Sequence, residues 1–269
     1  MVALTCYFDD SFDKQVHVVA GYIASVGTWE HFLSSDWNEV IDSAPHKISE
    51  FKASDCRQQR GEFSEWTKAE CDDLTKRLVL VIARTKDIAG FAAAFCYPGE
   101  GATREDRKGM EHSAYGMTFG MCLNDALSLT SRVLQSDRIH SIQPFIDIRK
   151  GFYERAVMNF SLALKYLDPA VAPKVLKPMP RDSRVPGIQA ADLLAYETRK
   201  EVWNRIEKRK VSSALQRLVN GPLHLARCFQ FPDLEDYRRQ MSAGIKPRVT
   251  GHVLYRPWSP VREGGNWNC

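Results

Sequence analysis

Three aspartates stand where the sequence predicts the protein interior. They are Asp9 after the apolar residues 2–8, Asp147 after residues 142–146, and Asp192 within residues 188–196. An ionised carboxylate that leaves water costs several kcal/mol unless it is paired or binds a cation. Three such groups at the ends of core elements therefore predict a shared divalent-cation site.

The chain of 269 residues is long enough for one large core. We expect a main domain over residues 1–210 and a C-terminal extension, residues 211–269, that packs on the same domain. The sequence has no apolar run near the ~18 residues of a membrane span and no basic start of a signal peptide, so we expect a cytoplasmic protein. Its seven cysteines form no CxxC pair, which argues against zinc and against a disulfide framework.

The charge is distributed unevenly along the chain. Residues 1–75 carry 14 acidic and 6 basic residues, whereas residues 165–217 carry 12 basic and 6 acidic residues. Basic side chains beside a metal site are what a phosphate backbone requires. We therefore expect the loop before Asp192 to contact phosphates through Lys174, Lys177, Arg181 and Arg184. The alternative is that this loop is solvated, like most charge runs, and that any nucleic-acid path follows residues 205–210.

The order of periodic segments predicts an α/β fold. Strands are expected at 4–9, 16–25 and 88–96 and before Asp147, and helices at about 28–41, 67–84, 105–135, 151–167 and 187–209. A capping box at Thr67–Glu70 opens the second helix, residues 54–63 are predicted as a loop, and the tail after Gly244 has no periodicity. Carboxylates at two strand ends and on the last core helix are the arrangement of ribonuclease H-like folds. We expect a mixed sheet flanked by helices, with a helical and irregular C-terminal extension.

Five motifs carry a family resemblance. They are Tyr7-Phe8-Asp9-Asp10-Ser11, Gly21-Tyr22-Ile23, Glu50-Phe51-Lys52, Phe145-Ile146-Asp147 and Pro186-Gly187-Ile188-Gln189-Ala190-Ala191-Asp192-Leu193-Leu194-Ala195. Over about residues 4–199 the chain resembles the bacterial and phage family called domain of unknown function 3800. The resemblance implies a ribonuclease H-like, metal-dependent phosphodiesterase, and the phage association suggests a defence or toxin effector. The opening motif of the family is usually Asp-Glu-Ser-Gly, whereas this chain has Asp10 and Phe12 at the second and fourth positions.

The residue types also fit this chemistry. Two metal ions about 3.5 to 4 Å apart can activate water and stabilise the leaving oxygen of a phosphoryl displacement, and three or four carboxylates can hold them. Oxygen ligands without His or Cys spacing favour Mg²⁺ or Mn²⁺. In this interpretation Asp9 bridges the ions, and Asp147 and Asp192 each hold one. The Glu-x-Lys match adds Glu50 as a fourth catalytic carboxylate and Lys52 as a contact to the scissile phosphate.

Each carboxylate also has a purely structural explanation. Asp9 would close a strand-ending turn, since Asp favours such positions. Asp147 would cap the next helix or pair with Arg149, and Asp192 would pair with Arg199. Glu197 lies about 140° around the predicted helix from Asp192, so we expect it to be a surface charge outside the site.

The leading hypothesis is a Mg²⁺- or Mn²⁺-dependent nuclease that hydrolyses phosphodiester bonds of RNA or DNA. One alternative is a catalytically inactive ribonuclease H-like protein that binds nucleic acid or acts as a scaffold. Another is a metal-dependent hydrolase or phosphotransferase with a small phosphorylated substrate. The expected partner is nucleic acid and not a membrane, while a protein partner or a homo-oligomer stays open.

Overall fold

The computed structural model describes residues 2–31, 35–97, 104–133, 138–147, 152–165, 169–221, 223–243 and 252–255. The strands are β1 (Val2–Phe12), β2 (Val16–Ser25), β3 (Ile88–Cys96), β4 (Ile139–Asp147), β5 (Met179–Arg181), β6 (Leu223–Phe229) and β7 (His252–Tyr255). The helices are α1 (Val26–His31), α2 (Trp37–Asp42), α3 (Ala53–Gln58), α4 (Lys68–Arg84), α5 (Arg104–Val133), α6 (Phe152–Leu164), α7 (Pro186–Ile206), α8 (Ser213–Asn220) and α9 (Phe231–Ser242).

The strands form one mixed sheet in the order β5-β4-β1-β2-β3-β6-β7. β1, β2 and β3 are antiparallel neighbours, β4 runs parallel to β1, and β5 runs parallel to β4. On the other side, β6 pairs in parallel with β3, and β7 is antiparallel to β6. The α/β prediction is confirmed. The extension was expected to be helical and irregular, but it also adds β6 and β7 to the sheet of the main domain.

The two faces of the sheet are covered by different helices. Successive side chains of a strand point to opposite faces, so Tyr7 packs in the core beneath α7 while Phe8 packs in the core beneath α5. α7 lies very close to the sheet at Gly187, where a Cβ atom would be 2.5 Å from the Tyr7 ring. Glycine at this position therefore allows the helix to rest directly on β1.

Local predictions had mixed outcomes. The capping box is confirmed, because the Thr67 hydroxyl accepts from the Glu70 amide and the Glu70 carboxylate accepts from the Thr67 amide. The predicted loop at 54–63 is wrong in part, since α3 occupies much of it. Buried Phe51, Ala53 and Cys56 dock this segment on the α7 side of the core. In the described part of the chain, none of the helices combines the length and the apolar composition that a bilayer crossing requires.

Candidate active site

Asp9 and Asp147 end up next to each other on neighbouring strands. β1 and β4 are parallel, and their last paired residues are Phe8 and Ile146. The next residue on each strand is the aspartate, and adjacent strands lie about 4.8 Å apart. Both side chains are buried, with exposures of 1% for Asp9 and 0% for Asp147. The register of β1 and β4 therefore brings these two carboxylates together, as the sequence predicted.

The two carboxylates face the same helix layer. Tyr7 and Phe145, two residues before each aspartate, stack with ring centroids 5.3 Å apart in the core beneath α7. Because side chains alternate along a strand, Asp9 and Asp147 return to that same face. The Oδ1 atom of Asp9 also accepts a hydrogen bond from the Asp10 amide at 2.7 Å. The pair therefore lies at the edge of a buried aromatic layer.

Asp192 lies on α7, at about the same distance along the sheet as Asp9. α7 runs along β1, with Gly187 against Tyr7 and Arg199 bonded to Asp13. Asp192 lies about 7.5 Å beyond Gly187 along the helix, and Asp9 lies about 7 Å beyond Tyr7 along the strand. Asp192 is 9% exposed, and its Oδ2 atom accepts a hydrogen bond from the Ala53 amide at 2.7 Å.

The predicted three-carboxylate group is not formed in this conformation. Among the described residues, no three His, Cys, Asp or Glu side chains are grouped so that they could hold a metal ion. The adjacent pair Asp9 and Asp147 fits a hard divalent cation in its donor chemistry, since both supply carboxylate oxygens from a buried position. Asp192 lies at the same level of the fold but is bound to the α3 segment. The alternative salt bridge from Asp192 to Arg199 is wrong, because Arg199 pairs with Asp13. The alternative pairing of Asp147 with Arg149 lies outside the described residues.

Glu50 and Lys52 contact each other. The Lys52 ammonium lies 2.6 Å from Glu50 Oε1, and the Ser183 hydroxyl donates to Glu50 Oε2. Both side chains are partly exposed, and Ser183 belongs to the loop that leads into α7. Glu50 thus joins the segment before α3 to the segment before α7. In this arrangement Lys52 neutralises Glu50.

Arg181 is the predicted phosphate contact nearest to the carboxylates. It pairs in register with Asp147 across β4 and β5, and its guanidinium lies 4.2 Å from the centroid of the Phe145 ring. Burial raises the pKa of the nearby Tyr7 hydroxyl, and the positive charge of Arg181 opposes that rise. Arg181 is exposed to solvent, so an anionic ligand bound beside Asp9 and Asp147, at the carboxylate edge, can reach it.

The other predicted basic residues are placed differently. Arg184 forms a double contact with Asp182 at 2.8 and 2.9 Å, and hydrogen bonds from Arg184 lower the pKa of Asp182 to about 2. Lys177 lies beside Gln143, whose side chain donates to the Lys177 carbonyl, roughly 13 Å before Asp147 along β4. Lys174 lies still further from Asp147, beside the part of β4 near Ile142. These two lysines are not brought to the carboxylate edge.

Two residues near the site have roles that the sequence did not indicate. Gln189 is buried, and its Oε1 atom accepts from the Trp37 indole at 3.0 Å and from the Phe51 amide at 3.1 Å. It therefore fixes α2 and the Glu50 segment on α7. The position of Gln189 inside an apolar run could have predicted a buried hydrogen-bonding role. His17 is also buried, with its Nε2 atom 3.6 Å from Asp10 Oδ2 on the α5 side.

The prediction that Glu197 is a surface charge is wrong. It is only 3% exposed, because α8 covers it. Its carboxylate accepts from the Ser212 hydroxyl at 2.6 Å and lies 3.4 Å from the Lys200 ammonium. An acidic residue on a helix face that another helix covers cannot be recognised from its position around the helix alone.

Comparison with protein-family models and with curated proteins finds no match for this chain. What the site can do therefore follows from its own geometry and chemistry.

Proposed function

We propose that the protein is a divalent-metal-dependent nuclease that hydrolyses phosphodiester bonds of RNA or DNA. The observation that carries the proposal is the buried pair Asp9 and Asp147, side by side where the parallel pairing of β1 and β4 ends, with Arg181 in register with Asp147. Folding alone rarely places two ionisable carboxylates together in the interior, since their mutual repulsion adds to the desolvation cost. Such arrangements are concentrated at functional sites.

The strand arrangement supports a ribonuclease H-like assignment. Three antiparallel strands, β1 to β3, are extended on the β1 side by the parallel strands β4 and β5. The first strand and the fourth carry the carboxylates, and α7 covers the face to which they point. The resemblance to the family called domain of unknown function 3800 concerns these same positions, and it supports a role as a phage-defence or toxin effector.

The roles of the residues follow from their chemistry. Mg²⁺ or Mn²⁺, when bound, would supply a polarised water and neutralise charge on the phosphate. Asp9 and Asp147 would hold the cation, and Asp192 would complete the set by moving with α7 or with the Ala53 segment. Arg181 would orient the phosphate, because its guanidinium is already held against Phe145. The buried floor beneath the carboxylates strengthens each of these electrostatic interactions.

A second candidate is a nucleic-acid-binding or scaffold protein without turnover. The bond between Asp192 and the Ala53 amide supports it, because that carboxylate already has a structural partner. In that case Asp192 would stabilise the docking of α3 on α7, and the site would retain only the Asp9 and Asp147 pair.

The test is cleavage of labelled RNA and DNA oligomers in Mg²⁺ or Mn²⁺. Asp9→Asn and Asp147→Asn should each lower the cleavage rate by at least about 100-fold, since each removes a charge that acts on the transition state. Binding of the oligomers should be retained within a few fold. Asp73→Asn is the matched control, because Asp73 is exposed on α4. Full activity in both site variants would refute the nuclease proposal, and metal-independent binding without cleavage by the wild type would favour the scaffold.

A further inference from the structure

A cavity of about 440 Å³ is lined by residues of α3, α4, α7 and the beginning of α8. Small-molecule sites commonly have volumes of roughly 300 to 1,000 Å³. Its lining includes Ala53, whose amide binds Asp192, so it borders the candidate active site without containing Asp9 or Asp147. The nuclease proposal assigns no role to this cavity.

The lining of the cavity is rich in positive charge. Four basic residues contribute, namely Arg57, Lys76, Lys200 and Arg217, against the two acidic residues Asp72 and Glu197. Arg57 pairs with Asp72 at 2.8 Å, and Lys200 lies 3.4 Å from Glu197. Across the described residues, Lys76 and Arg217 have neither an ion pair nor a hydrogen bond from their side chains. Two cations from different helices therefore face one cavity without a carboxylate partner.

The start of α8 adds further anion-binding groups. Ser213 and Ala214 form its first turn and line the cavity. The first amides of a helix have no acceptor inside the helix, and the helix dipole favours negative charge there. Buried Glu197 accepts from the Ser212 hydroxyl, which anchors this end of α8 on α7. The anchor holds the free amides in a fixed position at the cavity wall.

The remaining lining is suited to an organic group. Tyr196 contributes a partly buried aromatic ring, and the fully buried Val79 and Leu193 form the apolar wall behind it. An inorganic anion would occupy only part of the volume and would leave the Tyr196 ring without a contact. We infer that the cavity binds a small phosphorylated ligand of nucleotide size, with its phosphate among Lys76, Arg217 and the first turn of α8. This inference goes beyond the nuclease proposal and does not depend on it.

The experiment measures binding of adenosine monophosphate to the full chain by calorimetry, with inorganic phosphate and a short oligonucleotide in parallel. The double variant Lys76→Ala/Arg217→Ala should weaken nucleotide binding by at least about tenfold, because it removes two charge-assisted contacts. The matched control is Arg60→Ala/Lys68→Ala, which removes the same charge from exposed positions outside the cavity. Lys76→Arg should retain affinity within a few fold, and Asp9→Asn should bind the nucleotide like the wild type.

Several results would overturn the inference. They include no binding of the nucleotide at millimolar concentration, equal weakening in the two double variants, and inorganic phosphate binding as tightly as the nucleotide. Oligonucleotide binding that requires Lys76 and Arg217, without binding of the mononucleotide, would assign the cavity to a strand backbone instead. Circular dichroism of each variant checks that the fold is retained. Loss of cleavage in Asp9→Asn with nucleotide binding retained would separate the two proposals.

Discussion

The carboxylate of Asp192 accepts a hydrogen bond from the backbone amide of Ala53 at 2.7 Å, across 139 positions of the chain. The contact ties α7 to the beginning of α3, and both groups are buried. It connects the third predicted metal ligand to a residue that also lines the basic cavity. Because Asp192 both binds the Ala53 amide and is a proposed metal ligand, its substitution tests stability and activity together.

Asp192→Ala should lower the free energy of unfolding by about 1 to 3 kcal/mol, because the Ala53 amide would be left buried without its acceptor. Asp192→Asn should lose less, since the amide oxygen of Asn can still accept. Urea denaturation measures both, with Asp73→Ala as the exposed control. If Asp192 is also a metal ligand, Asp192→Asn will retain stability and lose cleavage. Equal stability of Asp192→Ala and the control would contradict the structural role of this bond.

Divalent cations should stabilise the wild-type protein through the adjacent carboxylates. At a Mg²⁺ or Mn²⁺ concentration about 100-fold above the Kd, linkage predicts a rise in Tm of roughly 5 °C for a chain of this size. The double variant Asp9→Asn/Asp147→Asn should lose this rise, because it removes both charges of the pair. Scanning calorimetry with and without the cation measures the shift. The same rise in both proteins would place cation binding elsewhere.

Arg181 should contribute more to nucleic-acid binding than the lysines further back along β4. Arg181→Ala should weaken binding of RNA and DNA oligomers and should reduce the slope of log K against log salt by about one. Lys177→Ala is the control of equal charge, since Lys177 lies beside Gln143 and away from Asp147. Fluorescence anisotropy over a salt series gives both values. A larger effect of Lys177→Ala would move the nucleic-acid path toward the middle of the strand.

The stability of the protein should depend on the ionisation of Glu201. Burial raises the pKa of this carboxyl, although the hydrogen bond from Arg205 opposes the rise. A folded-state pKa above the unfolded value gives stability below the unfolded pKa, and that stability is lost as the pH rises through the folded pKa. As the pH rises above the ordinary pKa of a glutamate, the wild type should therefore lose stability relative to Glu201→Gln. Urea denaturation over a series of pH values tests the difference, and Glu207→Gln, at an exposed position, should show no such trend.

The local parts of the fold could be predicted because their causes lie within a few residues. Apolar runs predicted the buried strands that carry Asp9 and Asp147, although β1 continues past Asp9 to Phe12, and the Thr67–Glu70 spacing identified the start of α4. The apolar run around Asp192 likewise predicted a buried helix. Each of these inferences uses a period or a spacing that short segments impose on themselves.

Long-range pairing decided the rest. The parallel register of β1 and β4 brought Asp9 beside Asp147, whereas Lys174 and Lys177 were left further back along β4. Packing of α8 on α7 buried Glu197, which helical geometry alone had assigned to solvent. The sequence by itself determined which residues would be strand, cap and core positions, since those depend on local chemistry. Only the tertiary structure decided which of them meet, because contacts between distant segments depend on how whole helices and strands pack together.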